Sequence, residues 1–61
     1  MARYHLEYKI LGLGVQWGQA DTLEAAKEAA KHYSSRNEGT FFVIWQSRTE
    51  CRFVNGQELR P

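Results

Sequence analysis

Apolar and polar side chains alternate from the start of the chain. Tyr4, Leu6, Tyr8 and Ile10 interleave with Arg3, His5, Glu7 and Lys9. A period of two sends the two sets to opposite faces of a strand. The pattern therefore predicts a half-buried strand with a charged outer face. Gly12-Leu13-Gly14 supplies flexible backbone for a turn. Val15 to Ala20 reads as a second, weaker strand. So short a connection makes an antiparallel hairpin, because a parallel crossover needs a dozen residues or more.

The period then changes. Asp21 is a good N-cap, and Glu24 three residues later is placed for a capping box. Leu23 to Tyr33 is dense in Ala, Glu and Lys, all strong helix formers. Leu23, Ala26, Ala30 and Tyr33 share one face, flanked by Ala25 and Ala29. Glu24–Lys27 and Glu28–Lys31 are spaced for i,i+3 ion pairs on the wet side. The polar run Ser34 to Gly39 ends the helix, with Asn37 or Gly39 free to turn left-handed.

Thr40 to Gln46 predicts a third strand that is apolar on both faces. Phe41, Val43 and Trp45 point one way, Phe42 and Ile44 the other. Two apolar faces suit a central place in a sheet. Ser47-Arg48 predicts a turn, Thr49 to Val54 a fourth strand, and Asn55-Gly56 a tight hairpin leading to a short strand at Gln57 to Leu59. The chain contains no repeat, linker or low-complexity segment. The prediction is one α+β domain over residues 1–61. It has a single antiparallel-rich sheet of four to five strands, in the order ββαββ, with one helix packed on one face.

Composition narrows the function classes. Sixty-one residues bury only about 60% of the surface their unfolded chain exposes, so the stability margin is thin. Cys51 is the single cysteine, which excludes an internal disulfide and fits a reducing cytoplasm. Met1-Ala2-Arg3 leads straight into the first strand pattern, so no targeting segment is expected, and no apolar run is long enough for a membrane span. Eight basic against seven acidic residues give a net charge of +1. That near balance argues against a dedicated nucleic-acid binder, though not against a local basic patch.

Candidate chemistry is sparse. Gly12, Gly14 and Gly18 lack the dinucleotide-binding spacing, and no helix opens directly after them. His5, His32 and Cys51 come from three separate elements, whereas structural zinc draws its ligands in short-spaced pairs. Cys51 alternates with Phe53, so it is expected in the core with Arg52 pointing away. Glu7, Glu24, Glu28, Glu38, Glu50 and Glu58 form no recognisable catalytic pair. The expectation is a non-enzymatic protein without metal or cofactor.

The segment Gln19-Ala20-Asp21-Thr22-Leu23-Glu24-Ala25-Ala26-Lys27-Glu28-Ala29-Ala30 places a capped, alanine-rich helix directly after a hairpin. This resembles small phage-encoded proteins of the strand-strand-helix-strand-strand type, among them some anti-CRISPR proteins and short inhibitors of host polymerase. The N-terminal domains of some phage integrases also place a helix after strands. The first resemblance implies a stoichiometric inhibitor that blocks a bacterial host machine, such as a CRISPR–Cas complex. The second keeps nucleic acid in view.

One helix covers one face of a small sheet, so the other face needs a cover. The larger Phe41, Val43 and Trp45 set suits the narrow alanine stripe, which leaves Phe42 and Ile44 for a partner. The expected contact residues are Arg3, His5, Lys9, Phe42, Ile44, Arg48 and Arg52. Phe42 and Ile44 act as apolar anchors, and the basic residues meet acidic partner groups or phosphates. The expected partner is a protein, such as a nucleic-acid-binding host complex, or a second copy of the chain. The alternative is a small nucleic-acid-binding module using the same basic and aromatic face.

Overall fold

A computed structural model describes residues 3–59. Met1, Ala2 and Pro61, on which the reading of the chain ends rests, lie outside the described residues. The chain forms β1 (Tyr4–Ile10), β2 (Leu13–Ala20), α1 (Leu23–Ser34), β3 (Thr40–Trp45), β4 (Arg48–Val54) and β5 (Gln57–Leu59). All five strands join one antiparallel sheet in the order β2-β1-β3-β4-β5. The helix packs on one face, giving the expected α+β fold with β3 at the centre of the sheet.

The core lies between that face and the helix. Leu6, Phe41, Val43, Cys51 and Phe53 meet Ala26 and Ala30 and are buried. Two alanines at the contact let the helix backbone approach large sheet side chains. Phe41 lies at the centre of a ring cluster, 4.6 Å from Tyr8, 5.1 Å from Trp17 and 6.1 Å from Tyr33 between centroids. Burial of Phe41 and Val43, with Phe42 and Ile44 only half-buried, agrees with the face assignment made from side-chain size.

The helix ends differ from the sequence expectation. Thr22, not Asp21, is the N-cap, and its Oγ1 accepts a hydrogen bond from the Ala25 N–H at 3.1 Å. Thr22 stands three residues before that orphan donor, which is the reach a cap hydroxyl needs. Lys27 reaches Glu58 on β5 at 3.1 Å rather than Glu24, so its charge ties the helix to the sheet edge. Ser34 is buried inside the last turn. Its hydroxyl donates to the Lys31 carbonyl at 3.2 Å and accepts from the Gly56 N–H at 3.0 Å. This one hydroxyl satisfies a buried backbone donor and holds the β4–β5 turn against the helix end.

Three two-residue turns connect the hairpins: Leu11-Gly12, Gln46-Ser47 and Asn55-Gly56. Both central residues of each have positive φ, the type I′ arrangement that matches strand twist. The third has the favoured Asn-Gly pair. The first two displace the predicted turns, so β2 starts at Leu13 rather than Val15 and β4 at Arg48 rather than Thr49. Ser47 at φ 66° pays the left-handed penalty of about 1 kcal/mol that glycine avoids. Ser47→Gly is expected to raise stability by about 0.5–1 kcal/mol. The readout is a higher urea midpoint at unchanged slope. An unmoved or lower midpoint would count against this turn geometry.

Two bulges shape the sheet. The β1–β2 register shifts between Leu6 and Glu7, which leaves Trp17 as the extra residue. The β3–β4 register shifts between Val43 and Ile44, which leaves Glu50 extra. Leu6 lies opposite Val43, so the bulges flank the central pair at one level. Bulges increase local twist, and here they curl both sides of the sheet at the same height.

Candidate binding face

The face away from the helix is set by the register, because directly opposed residues point to the same side. Phe42 is its centre, with Glu7 opposite on β1 and Arg52 opposite on β4. Arg52 in turn faces Leu59 on β5. In the next row Ile44 sits between His5 and Thr49. Gln19 lies beyond His5, and Gln16 beyond Glu7.

Five of the seven expected contact residues therefore share this face: His5, Lys9, Phe42, Ile44 and Arg52. Arg48 does not. It opposes Trp45, whose ring packs 4.5 Å from Tyr4 on the helix side, and its guanidinium lies 3.9 Å from Glu50. The grouping of Arg48 with the open face is corrected by this register, which the shifted turn at Gln46-Ser47 sets. Arg3 precedes β1 at the sheet's β2 edge, 3.6 Å from Asp21 and 3.4 Å from Gln19 Oε1. It lies at the rim of the face and already has an acidic neighbour.

Phe42 and Ile44 are not bare. The Lys9 ammonium stands 5.4 Å from the Phe42 ring centroid and 3.7 Å from the Glu7 carboxylate. A cation over an exposed ring is worth about 0.5–1 kcal/mol. The open face thus partly covers its own apolar centre with a lysine stem. Lys9 and Arg52 with His5 outweigh the single carboxylate Glu7, and among the described residues Arg52 makes no ion pair. A groove of roughly 400 Å³ runs beside Ile44, lined by His5, Glu7, Gln16, Gln46 and Ser47.

The remaining candidate chemistry is dispersed. Cys51 is buried beside Phe53 and Val43. Burial raises its pKa above the ordinary 9.0, with the Glu58 and Glu50 carboxylates adding to the shift and Lys27 opposing it. The thiol therefore stays protonated at neutral pH, and the reactive thiolate is disfavoured. Because the folded pKa is the higher one, the fold loses stability as pH rises through and above 9.0. His32 stacks edge-on to Tyr33, 5.3 Å away, far from His5 on the opposite face. No group of three or more His, Cys, Asp or Glu suited to a metal occurs among the described residues.

The most exposed apolar side chains lie elsewhere, at Leu11, Leu13 and Val15 on the β1–β2 hairpin, with Trp17 and Tyr33 beside them. Reading the sequence for faces of β3 missed them. The signal is the uncharged run from Ile10 to Ala20. Among the described residues no helix is long and apolar enough to cross a membrane.

The chain matches no family model, no curated protein and no solved structure among known proteins.

Proposed function

We propose that this chain is a non-enzymatic binding protein that acts by protein–protein interaction through the helix-free sheet face. The observation that carries the reading is the convergence of Phe42 and Ile44 with His5, Lys9 and Arg52 on that face. An apolar centre of Phe42 and Ile44 beside Arg52 suits an interface core, where aromatic side chains and arginine are enriched. It suits a partner surface that offers acidic groups around an apolar pocket. The resemblance to small phage inhibitors makes a bacterial host machine, such as a CRISPR–Cas complex, the partner class to test first.

Phe42→Asp places a carboxylate at the centre of the face while leaving the buried Phe41 side untouched. Retention of the partner in a pull-down from bacterial lysate is expected to fall at least about 100-fold, the loss of one central anchor. Circular dichroism checks that the variant remains folded. A folded variant that retains the same partner would remove the open face as the site.

A second reading draws on the Lys9 ammonium over the Phe42 ring beside Arg52. Bases stack on such rings while cations meet phosphates. Few cations line this face, so binding to a short single strand should show a shallow salt slope of about −0.7 per phosphate neutralised. Absence of binding at low salt would end this alternative.

A further inference from the structure

Among the described residues β2 forms one edge of the sheet, with β1 on one side and no strand on the other. Its outward N–H and C=O groups form a template for a further strand. Natural edges are blunted by lysine, proline, shortness or a bulge. The opposite edge follows that rule, since β5 has three residues and Glu58 is ion-paired. β2 has only the bulge at Trp17. It runs eight residues, has no proline, and lies in a stretch without a charge from Ile10 to Ala20. Leu11 is 94%, Leu13 74%, Val15 55%, Trp17 39% and Tyr33 36% exposed.

The pattern of this edge is symmetric about Val15. Val15 opposes Tyr8 and Leu13 opposes Ile10, so both point to the helix side. Trp17 contacts Tyr8, Phe41 and Tyr33 and points there too. Gly14 and Gln16 oppose Lys9 and Glu7 and point to the open side. A second copy related by a two-fold axis through Val15 would pair Leu13 with Trp17, Gly14 with Gln16, and Val15 with its own mate. Every pair then joins side chains of the same face, as antiparallel pairing requires. Leu13 of one copy would cover the half-open Trp17 and Tyr33 of the other. An uncharged edge selects an uncharged one, and the chain's own β2 supplies that complement.

We infer that β2 is a self-pairing edge through which two copies join into one continuous ten-stranded antiparallel sheet centred on Val15. Both helices then lie on one side. The two helix-free faces merge into one surface on the other side, leaving Phe42 and Ile44 clear of the seam. The Trp17 bulge ends regular pairing at the Leu13–Trp17 pair, so the seam is small. Interfaces at the low end of size are weak, and the expected dissociation constant is on the order of 10 µM. Leu11, at φ 53° in the turn, extends the apolar seam at each end in a position where Asn or Gly would fit the backbone better.

The test is sedimentation equilibrium of the 7.1 kDa chain from about 5 µM to about 500 µM, a range that brackets that constant. The wild type is expected to pass from monomer to dimer. Val15→Lys and Val15→Glu each set like charges face to face on the axis, and each should weaken the dimer at least about 100-fold. Mixing the two variants should restore a heterodimer, because only this register brings position 15 opposite itself. Circular dichroism confirms that both variants fold, and Phe42→Asp should dimerise like the wild type. That last result separates this edge from the open face. A wild type monomeric throughout, a dimer unaffected by both charges, or a mixture that stays monomeric would each overturn the inference.

Discussion

Phe41→Ala is expected to remove about 3–5 kcal/mol of the protein's stability. Phe41 is fully buried and stacks with Tyr8 while meeting Trp17 and Tyr33. Truncating a buried phenylalanine costs about 3–5 kcal/mol, part from lost transfer energy and part from the cavity. A domain of this length has a total stability of about 3–9 kcal/mol. The substitution therefore removes from about a third to the whole of the margin. Its neighbours cannot close the gap, because Tyr8 is tethered by its hydroxyl to the Glu38 carbonyl and Tyr33 is fixed on the helix. The adjacent Phe42→Ala should cost less, about 1–2 kcal/mol, since that ring is only partly buried, lies outside the core and carries a lysine contact. Urea titration of the two variants measures the contrast. Equal losses would mean that the helix does not cover the Phe41 face alone.

That contrast was legible in the sequence, because alternation separates Phe41 from Phe42 whatever the register. The size of the helix stripe then selected the covered set. Alternation does not specify register, however, and there the reading and the structure part. Leu11 and Gln46 are not turn-forming residues, and Ser47 is one that seldom turns left-handed, yet all three occupy left-handed positions in tight hairpins. The strand pairing on either side imposes that conformation on them. Shifting the β3–β4 turn by one residue moved Arg48 into the ladder opposite Trp45 and off the open face. The bulges at Trp17 and Glu50 break the period of two and leave no local signature. The exposed hairpin was hidden for another reason. Leu13, Val15 and Trp17 alternate like core residues, but the narrow helix covers the central strands and leaves the β2 edge uncovered.

The open face depends on a further constraint that composition does not show, the close approach of Gly39 to β1. Gly39 has φ 102°, and an added Cβ would lie 2.6 Å from the Lys9 carbonyl oxygen and 2.9 Å from the Tyr8 ring. Backbone cannot yield as a side-chain tip can, so Gly39→Ala must displace the start of β3 from the end of β1. Left-handed strain adds to the clash. The expected loss is about 3 kcal/mol or more. Gly12→Ala is the matched control. Its φ is also positive at 82°, but an added Cβ meets nothing within 4 Å. It isolates the conformational cost of about 1–2 kcal/mol. The difference between the two, read from urea midpoints, is the contribution of the close approach. Because Lys9 opposes Thr40 next to Gly39, the displacement also shifts the Lys9 ammonium relative to the Phe42 ring. Any residual folded Gly39→Ala protein should therefore bind its partner more weakly, whereas Gly12→Ala keeps full binding. Equal stability losses in the two variants would show that β1 and the segment before β3 have room to spare, and the close packing at the edge of the binding face would be wrong.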